Sequence, residues 1–155
     1  KDWDLIIVSP KKNLIAAIEL KSQVGSYGNN LNNRTEESLG SSEDFWTAFR
    51  EHVFTCNQSP WLGYLIVVGK DKESTHAVKV SEPHFPVRAE FKNSTYLDRY
   101  RILCQRLVLE HKYNAVALIA TENKDSYENL AENLSIDTFI NSFRGHLLGF
   151  ADEFR

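Results

Sequence analysis

The sequence predicts an α/β fold, a mixed central β-sheet flanked by helices, in one domain covering residues 1–155. Three observations carry this expectation. Two short apolar runs, Leu5 to Val8 and Leu14 to Ile18, flank the polar connection Ser9-Pro10-Lys11-Lys12-Asn13 and read as an antiparallel hairpin. Trp61 to Gly69 is apolar almost throughout, the pattern of a strand covered on both faces. Residues 95–112 carry an apolar stripe at helical spacing. A chain of 155 residues is long enough to enclose one sizeable core and too short for two ordinary ones.

In the hairpin, Pro10 suits the first corner of a type I turn and Asn13 tolerates a left-handed exit. A four-residue loop from Pro10 to Asn13 pairs Ser9 with Leu14. Counting outward from there sets Asp4 opposite Glu19. Two carboxylates directly opposed in a sheet lie about 5 Å apart, where like charges destabilise the pairing. Lys21 shares a face with Glu19, because strand side chains alternate with a period of two. Asp4, Glu19 and Lys21 thus converge at the ends of two otherwise core-like strands. A divalent cation relieves the repulsion, and two carboxylates plus waters and phosphate oxygens suit Mg²⁺. A lysine beside them can orient or deprotonate a water, or steady charge developing on a phosphate. The bland alternative is that Asp4 merely opens a strand and Glu19 and Lys21 form an exposed ion pair on an edge.

An Asp followed about fourteen residues later by Glu-x-Lys resembles the PD-(D/E)xK nuclease signature. The surrounding words narrow the likeness. Ala16-Ala17-Ile18-Glu19-Leu20-Lys21-Ser22-Gln23-Val24-Gly25, with Gly28-Asn29-Asn30-Leu31-Asn32-Asn33-Arg34-Thr35-Glu36-Glu37, resembles the XhoI-type type II restriction endonucleases. Pro60-Trp61-Leu62-Gly63-Tyr64, Glu82-Pro83-His84-Phe85-Pro86 and Tyr96-Leu97-Asp98-Arg99-Tyr100-Arg101 fit the same resemblance, which runs from Trp3 to about Thr121. Trp3 departs from it, standing where the superfamily often has proline. The resemblance implies a restriction-endonuclease-like core and Mg²⁺-dependent hydrolysis of phosphodiester bonds in double-stranded DNA. Asp4 and Glu19 would hold the metal and Lys21 would position or activate the attacking water. It further implies the palindrome CTCGAG, read by a homodimer, since a two-fold protein matches a two-fold site. No organic cofactor is implied. A structure-selective repair or recombination nuclease of the same fold, and a catalytically silent DNA-binding module, are the rival classes.

Residues 24–42, rich in glycine, asparagine and serine, read as a loop. Asn29, Asn30, Asn32, Asn33 and Arg34 form its polar centre. Asparagine can bond an adenine edge in two places and arginine a guanine edge, both in the major groove. Asx-turn chemistry alone would also account for the asparagines; the resemblance favours DNA contact. Thr35 to Ser38 reads as a short helical turn, in which Glu37 is either a further metal or water ligand or part of a solvated face. Ser41 or Ser42 then caps a helix over residues 43–54, with Phe45, Trp46 and Phe49 packed on the sheet.

Asn57 to Pro60 breaks the chain before the buried strand from Trp61. Hairpin, helix, buried strand is the core order of the nuclease fold, which implies a further strand and helix ahead of Lys1 in a complete enzyme. Residues 70–81 are a charged surface excursion, and prolines keep residues 83–86 extended. Ser94 caps the helix of residues 95–112, whose apolar stripe ends at His111; its arginines are a candidate phosphate-contacting row. Residues 114–121 form another strand. The tail from Ser126 reads as two helical stretches. In the second, Ile136, Ile140, Phe143 and Leu147 recur on one side, a face for either the core or a dimer.

Composition excludes several classes. The net charge of −3 gives the whole chain no bias towards nucleic acid, so phosphate contacts must come from a local basic groove. No apolar run approaches eighteen residues, so no membrane span is expected. No secretory signal opens the chain. Cys56 and Cys104 make neither a metal spacing nor a disulfide framework, which suits a reducing setting. Together with the resemblance, this gives a bacterial cytoplasmic location as the expectation.

Overall fold

The computed structural model describes residues 2–55, 58–123 and 125–154. Its centre is a five-stranded sheet in the order β1 (Leu5–Val8), β2 (Leu14–Gln23), β3 (Trp61–Gly69), β4 (Ala115–Asn123) and β5 (Ser126–Asn129). The outer pairs β1–β2 and β4–β5 are antiparallel, and β2–β3 and β3–β4 are parallel. The predicted mixed sheet is therefore present, with α1 (Tyr27–Arg50) crossing from β2 to β3 and α2 (Tyr96–Leu109) from β3 to β4. Both helices cover one face, where Leu62, Tyr64, Ile66 and Val68 of β3 meet Tyr27, Phe45, Tyr100 and Leu107. A third helix, α3 (Ile136–Leu148), covers the opposite face through Phe139, against Ile15, Ile18, Trp61 and Ala117.

The hairpin keeps the predicted outer register: Leu5 opposes Ile18, Ile6 opposes Ala17 and Ile7 opposes Ala16. A bulge at Ile7/Val8 then sets Val8 opposite Leu14, leaving Ile15 as the extra residue. Ile15 and Ala16 both join the α3-side core, while Ala17 joins the α1/α2 side. His146 of α3 meets the Ile15 carbonyl at 3.0 Å. The left-handed residue of the turn is Lys12 (φ 66°), not Asn13. Asn13 is instead buried, and its side-chain amide donates to Glu153 at 2.7 Å.

The largest difference from expectation is α1. Residues 24–42 do not form a loop: the helix runs unbroken from Tyr27 through the asparagines to Arg50. Its buried row is Tyr27, Ser38, Ser42 and Phe45, with Leu31 packed beside them. Two small serines sit where a hydrophobic pattern would show larger residues. Their hydroxyls donate back to the carbonyls of Thr35 and Leu39 at 2.9 Å, so burial leaves them satisfied. The Tyr113 hydroxyl donates to the Ser38 carbonyl at 2.9 Å. Gly28, which reads as a breaker, is a contact residue: a Cβ there would stand 2.5 Å from the Tyr96 hydroxyl of α2. Tertiary packing overrides weak local propensity. Phe45 packs edge-on against Trp3 and Trp46, as expected of the aromatics.

Smaller corrections follow the same logic. The cap of α2 is Thr95, whose side chain and that of Asp98 form a reciprocal capping box. Ser94 is buried and accepts from Arg99 Nε at 3.0 Å. His111 lies beyond the helix at φ 55°, exposed rather than completing the stripe. The first helical stretch expected from Ser126 is β5, an edge strand exposed at every position and so without an apolar pattern. The second is α3, and its apolar face is largely used against Trp61: ring centroids lie 5.1 Å from Phe139 and 5.0 Å from Phe143. Cys56 and the start of the break before Trp61 lie outside the described residues. Cys104 is buried, and burial pushes its thiol pKa up.

Two outcomes test this packing. A Cβ on Gly63 would lie 2.3 Å from the Trp61 ring and 2.8 Å from Phe139. Gly63→Ala should therefore lower urea-unfolding stability by about 1–3 kcal/mol, although alanine is the better strand residue. Burial holds the His146 imidazole pKa below its usual 6.5. Protonation thus favours the unfolded chain, and stability is lost as pH falls through about 6.5 towards the folded value. The urea midpoint should drop more between pH 7 and pH 5 in the native protein than in His146→Gln.

Candidate active site

From Ala17 onward β2 alternates regularly, so Glu19 and Lys21 point to the face that α1 and α2 cover. Glu19 sits deep, its side chain 6% exposed, and Lys21 stands at the rim with 25%. The Lys21 ammonium contacts Glu19 Oε1 directly. The pair is not an exposed edge contact: β2 is an interior strand, flanked by β1 and β3.

Asp4 lies one residue before β1, where the ladder has ended. Its carboxylate Oδ2 accepts the Leu20 amide at 2.7 Å, taking the place of a strand carbonyl. The acid is thereby tied to the backbone between Glu19 and Lys21. The outer register, with Leu5 opposite Ile18, carries Asp4 towards Glu19 as the count from the turn predicted. Trp3 explains its own place here. Half-buried and edge-on to Phe45 at 5.4 Å, it anchors the approach to Asp4.

Among the described residues no group of three or more His, Cys, Asp or Glu side chains could hold a metal. Asp4, exposed, and Glu19, deep in the sheet, offer two hard oxygen donors at neighbouring strands. That donor set fits a cation that keeps several waters and takes substrate oxygens, as Mg²⁺ does. Lys21 presents its positive group to Oε1 of the Glu19 carboxylate.

Tyr64 completes the surroundings and was not legible as a site residue. It is the register partner of Glu19 in the parallel β2–β3 pair and is 1% exposed. Burial pushes its hydroxyl pKa well up, and the same holds for Tyr113, so both stay neutral. Tyr64 and Tyr113 pack with ring centroids 5.3 Å apart. Only knowledge of which residue of β3 pairs with Glu19 would have singled Tyr64 out.

The polar stretch Asn29, Asn30, Asn32, Asn33 and Arg34 lies on α1, not on a loop, and the helix divides it. Asn29 and Asn33 face solvent. Asn32 lies against α2, in a hollow of about 270 Å³ shared with Thr35, Arg99 and Arg106. Asn30 is half-buried, and its side-chain amide donates to the Ser26 carbonyl at 3.1 Å. Arg34 falls beside the buried row, 23% exposed, and pairs with Glu37 at 2.5 Å. Glu37 is taken up by that pair and joins no three-membered acidic group among the described residues. No helix of the described residues is long and apolar enough to cross a membrane.

Residues 1–132 match the family model "Restriction endonuclease XhoI". The chain is 46% identical to the type II restriction enzyme BstVI of Geobacillus stearothermophilus, over 95% of this chain and 70% of that one. It is 48% identical to XhoI of Xanthomonas vasicola over 71% of this chain, and 46% identical to AbrI of Azospirillum brasilense over 55%. Those matches span 44% and 38% of the two relatives' own lengths. No solved structure matches the chain. Membership of such a family implies a DNA substrate and a divalent metal. The chain belongs to the XhoI restriction endonuclease family, and so to the type II site-specific deoxyribonucleases.

Proposed function

We propose that residues 1–155 form a single nuclease domain that hydrolyses phosphodiester bonds of double-stranded DNA with Mg²⁺, at the palindrome CTCGAG, as a homodimer. The observation that carries the chemistry is the joining of Asp4, Glu19 and Lys21 through the Leu20 backbone. Asp4 and Glu19 would hold the cation, which when bound supplies Lewis-acid stabilisation of charge on the phosphate. Glu19, fixed by its depth in the sheet, sets where the reacting phosphate must sit. Lys21, at the rim, reaches both Glu19 and solvent, so its amine can orient an attacking water and return to the carboxylate afterwards. Neutral Tyr64 walls the inner side and limits water there.

The helix bearing Asn29, Asn30, Asn32, Asn33 and Arg34 leaves β2 directly after the catalytic strand residues and would lie along the duplex. Asn29, Asn32 and Asn33 are the exposed side chains of this stretch that could reach base edges. The palindrome rests on the family resemblance. On α3, Phe139 and Phe143 pack on Trp61 while Ile140 stays exposed, so that helix leaves only a small apolar surface for a dimer.

Incubation with a plasmid carrying one CTCGAG site should give a single linear product with Mg²⁺ and none with EDTA. Smearing or branch-specific cutting would point to the structure-selective class, and binding without cutting to a silent module. Asp4→Asn, Glu19→Gln and Lys21→Ala should each lower the cleavage rate by about 10²-fold or more while duplex binding persists. Asp4→Asn can still accept the Leu20 amide. Its unfolding midpoint should stay near the native one, whereas Asp4→Ala loses about 1 kcal/mol.

A further inference from the structure

Arg34 is the charged member of the polar stretch on α1, and its side chain turns inward. It falls in the same helical row as Tyr27, Ser38 and Phe45, which packs on the sheet face carrying Glu19. Its Nε is buried with no hydrogen-bond partner, and so are the hydroxyls of Tyr64 and Tyr100. Tyr64, whose hydroxyl feels the charge of Arg34, is the register partner of Glu19, which puts the guanidinium on the same side of the sheet as that acid. Its outer edge, Nη1, pairs with Glu37, which is 49% exposed.

A side chain sunk in this way is poorly placed to reach the floor of a major groove. Any base reader on α1 has to project from exposed positions such as Asn29, Asn32 and Asn33. The charges of Arg34 and Glu19 both act on the Tyr64 hydroxyl, so a phosphate brought to Glu19 and Lys21 would come under the influence of Arg34. The guanidinium fork matches phosphate oxygens in a bidentate manner. An ion pair with an exposed carboxylate contributes little, so exchanging it for phosphate costs little. We propose that Arg34 binds a backbone phosphate of the DNA beside the catalytic acids, releasing Glu37 to do so, and reads no base. This inference rests on the nuclease reading above.

The test is equilibrium binding without cleavage. Fluorescence anisotropy is measured in EDTA with a labelled CTCGAG duplex and its single-base-pair variants, over a salt series. Arg34→Gln should weaken binding about 10-fold on every duplex alike, as loss of a charged hydrogen bond does. The slope of log affinity against log salt should fall by about one. Glu37→Gln, a change at an exposed position, should tighten binding, and that gain should vanish in the Arg34→Gln background. Lost discrimination at one base pair with an unchanged salt slope would make Arg34 a base reader and overturn the proposal. Affinity and slope like those of the native protein would overturn it too, as would a Glu37→Gln gain that persists without Arg34. Absence of any duplex binding by the native protein would instead strike at the nuclease reading.

Discussion

A carboxylate buried beneath a helix needs a cation beside it, and in this protein Lys21 answers Glu19 from two residues along the same strand. Nearly every element of the fold can be understood as fixing that pair. The pleat of β2 puts both side chains on one face, the parallel partner β3 brings Tyr64 alongside, and α1 roofs the acid. Asp4 then reaches across from the end of β1 to the Leu20 amide, so the second acid is held by a backbone group that cannot drift. A cation shared by the two acids, as proposed above, would depend on these supports.

The bulge in the hairpin serves the same end. With Ile15 as an extra residue, β2 shifts phase between its two halves, and Ile15 and Ala16 both enter the α3-side core. Alternation resumes at Ala17, which leaves Glu19 and Lys21 on the α1/α2 side. The turn is pinned from outside: Ser9 and Asn13 both donate to Glu153, and His146 meets the Ile15 carbonyl. Residues at the far end of the sequence therefore secure the geometry of a site near its start. Local sequence could not disclose that dependence.

What the sequence disclosed follows from how strongly each feature is patterned. The outer hairpin register agrees with the count from the turn because the extra residue Ile15 offsets a turn one residue longer than the expected Ser9–Leu14 pairing, and it brings Asp4 alongside the Glu19–Lys21 stretch. The strands from Trp61 and Ala115 and the helices α2 and α3 were legible from apolar runs and stripes. The first half of α1 was not, because its buried row uses Ser38 and Ser42 and its helix contact uses Gly28, residues that signal turns when taken alone. β5 was missed because an edge strand exposed at every position has no apolar alternation. Arg34 was legible only as a candidate DNA contact on a loop, because its inward turn depends on the helix that replaced that loop. Tyr64 was hidden because register between parallel strands is set by the crossover helix, not by a turn.

The most direct measurement is anomalous scattering from a crystal soaked in Mn²⁺, which takes the same oxygen ligands as Mg²⁺. A peak within about 2.5 Å of both the Asp4 and Glu19 carboxylates, with Lys21 displaced from Glu19 or sharing it, is the predicted result. A saturating soak that leaves those two carboxylates without a peak, or puts the ion at another acidic group, would contradict the account.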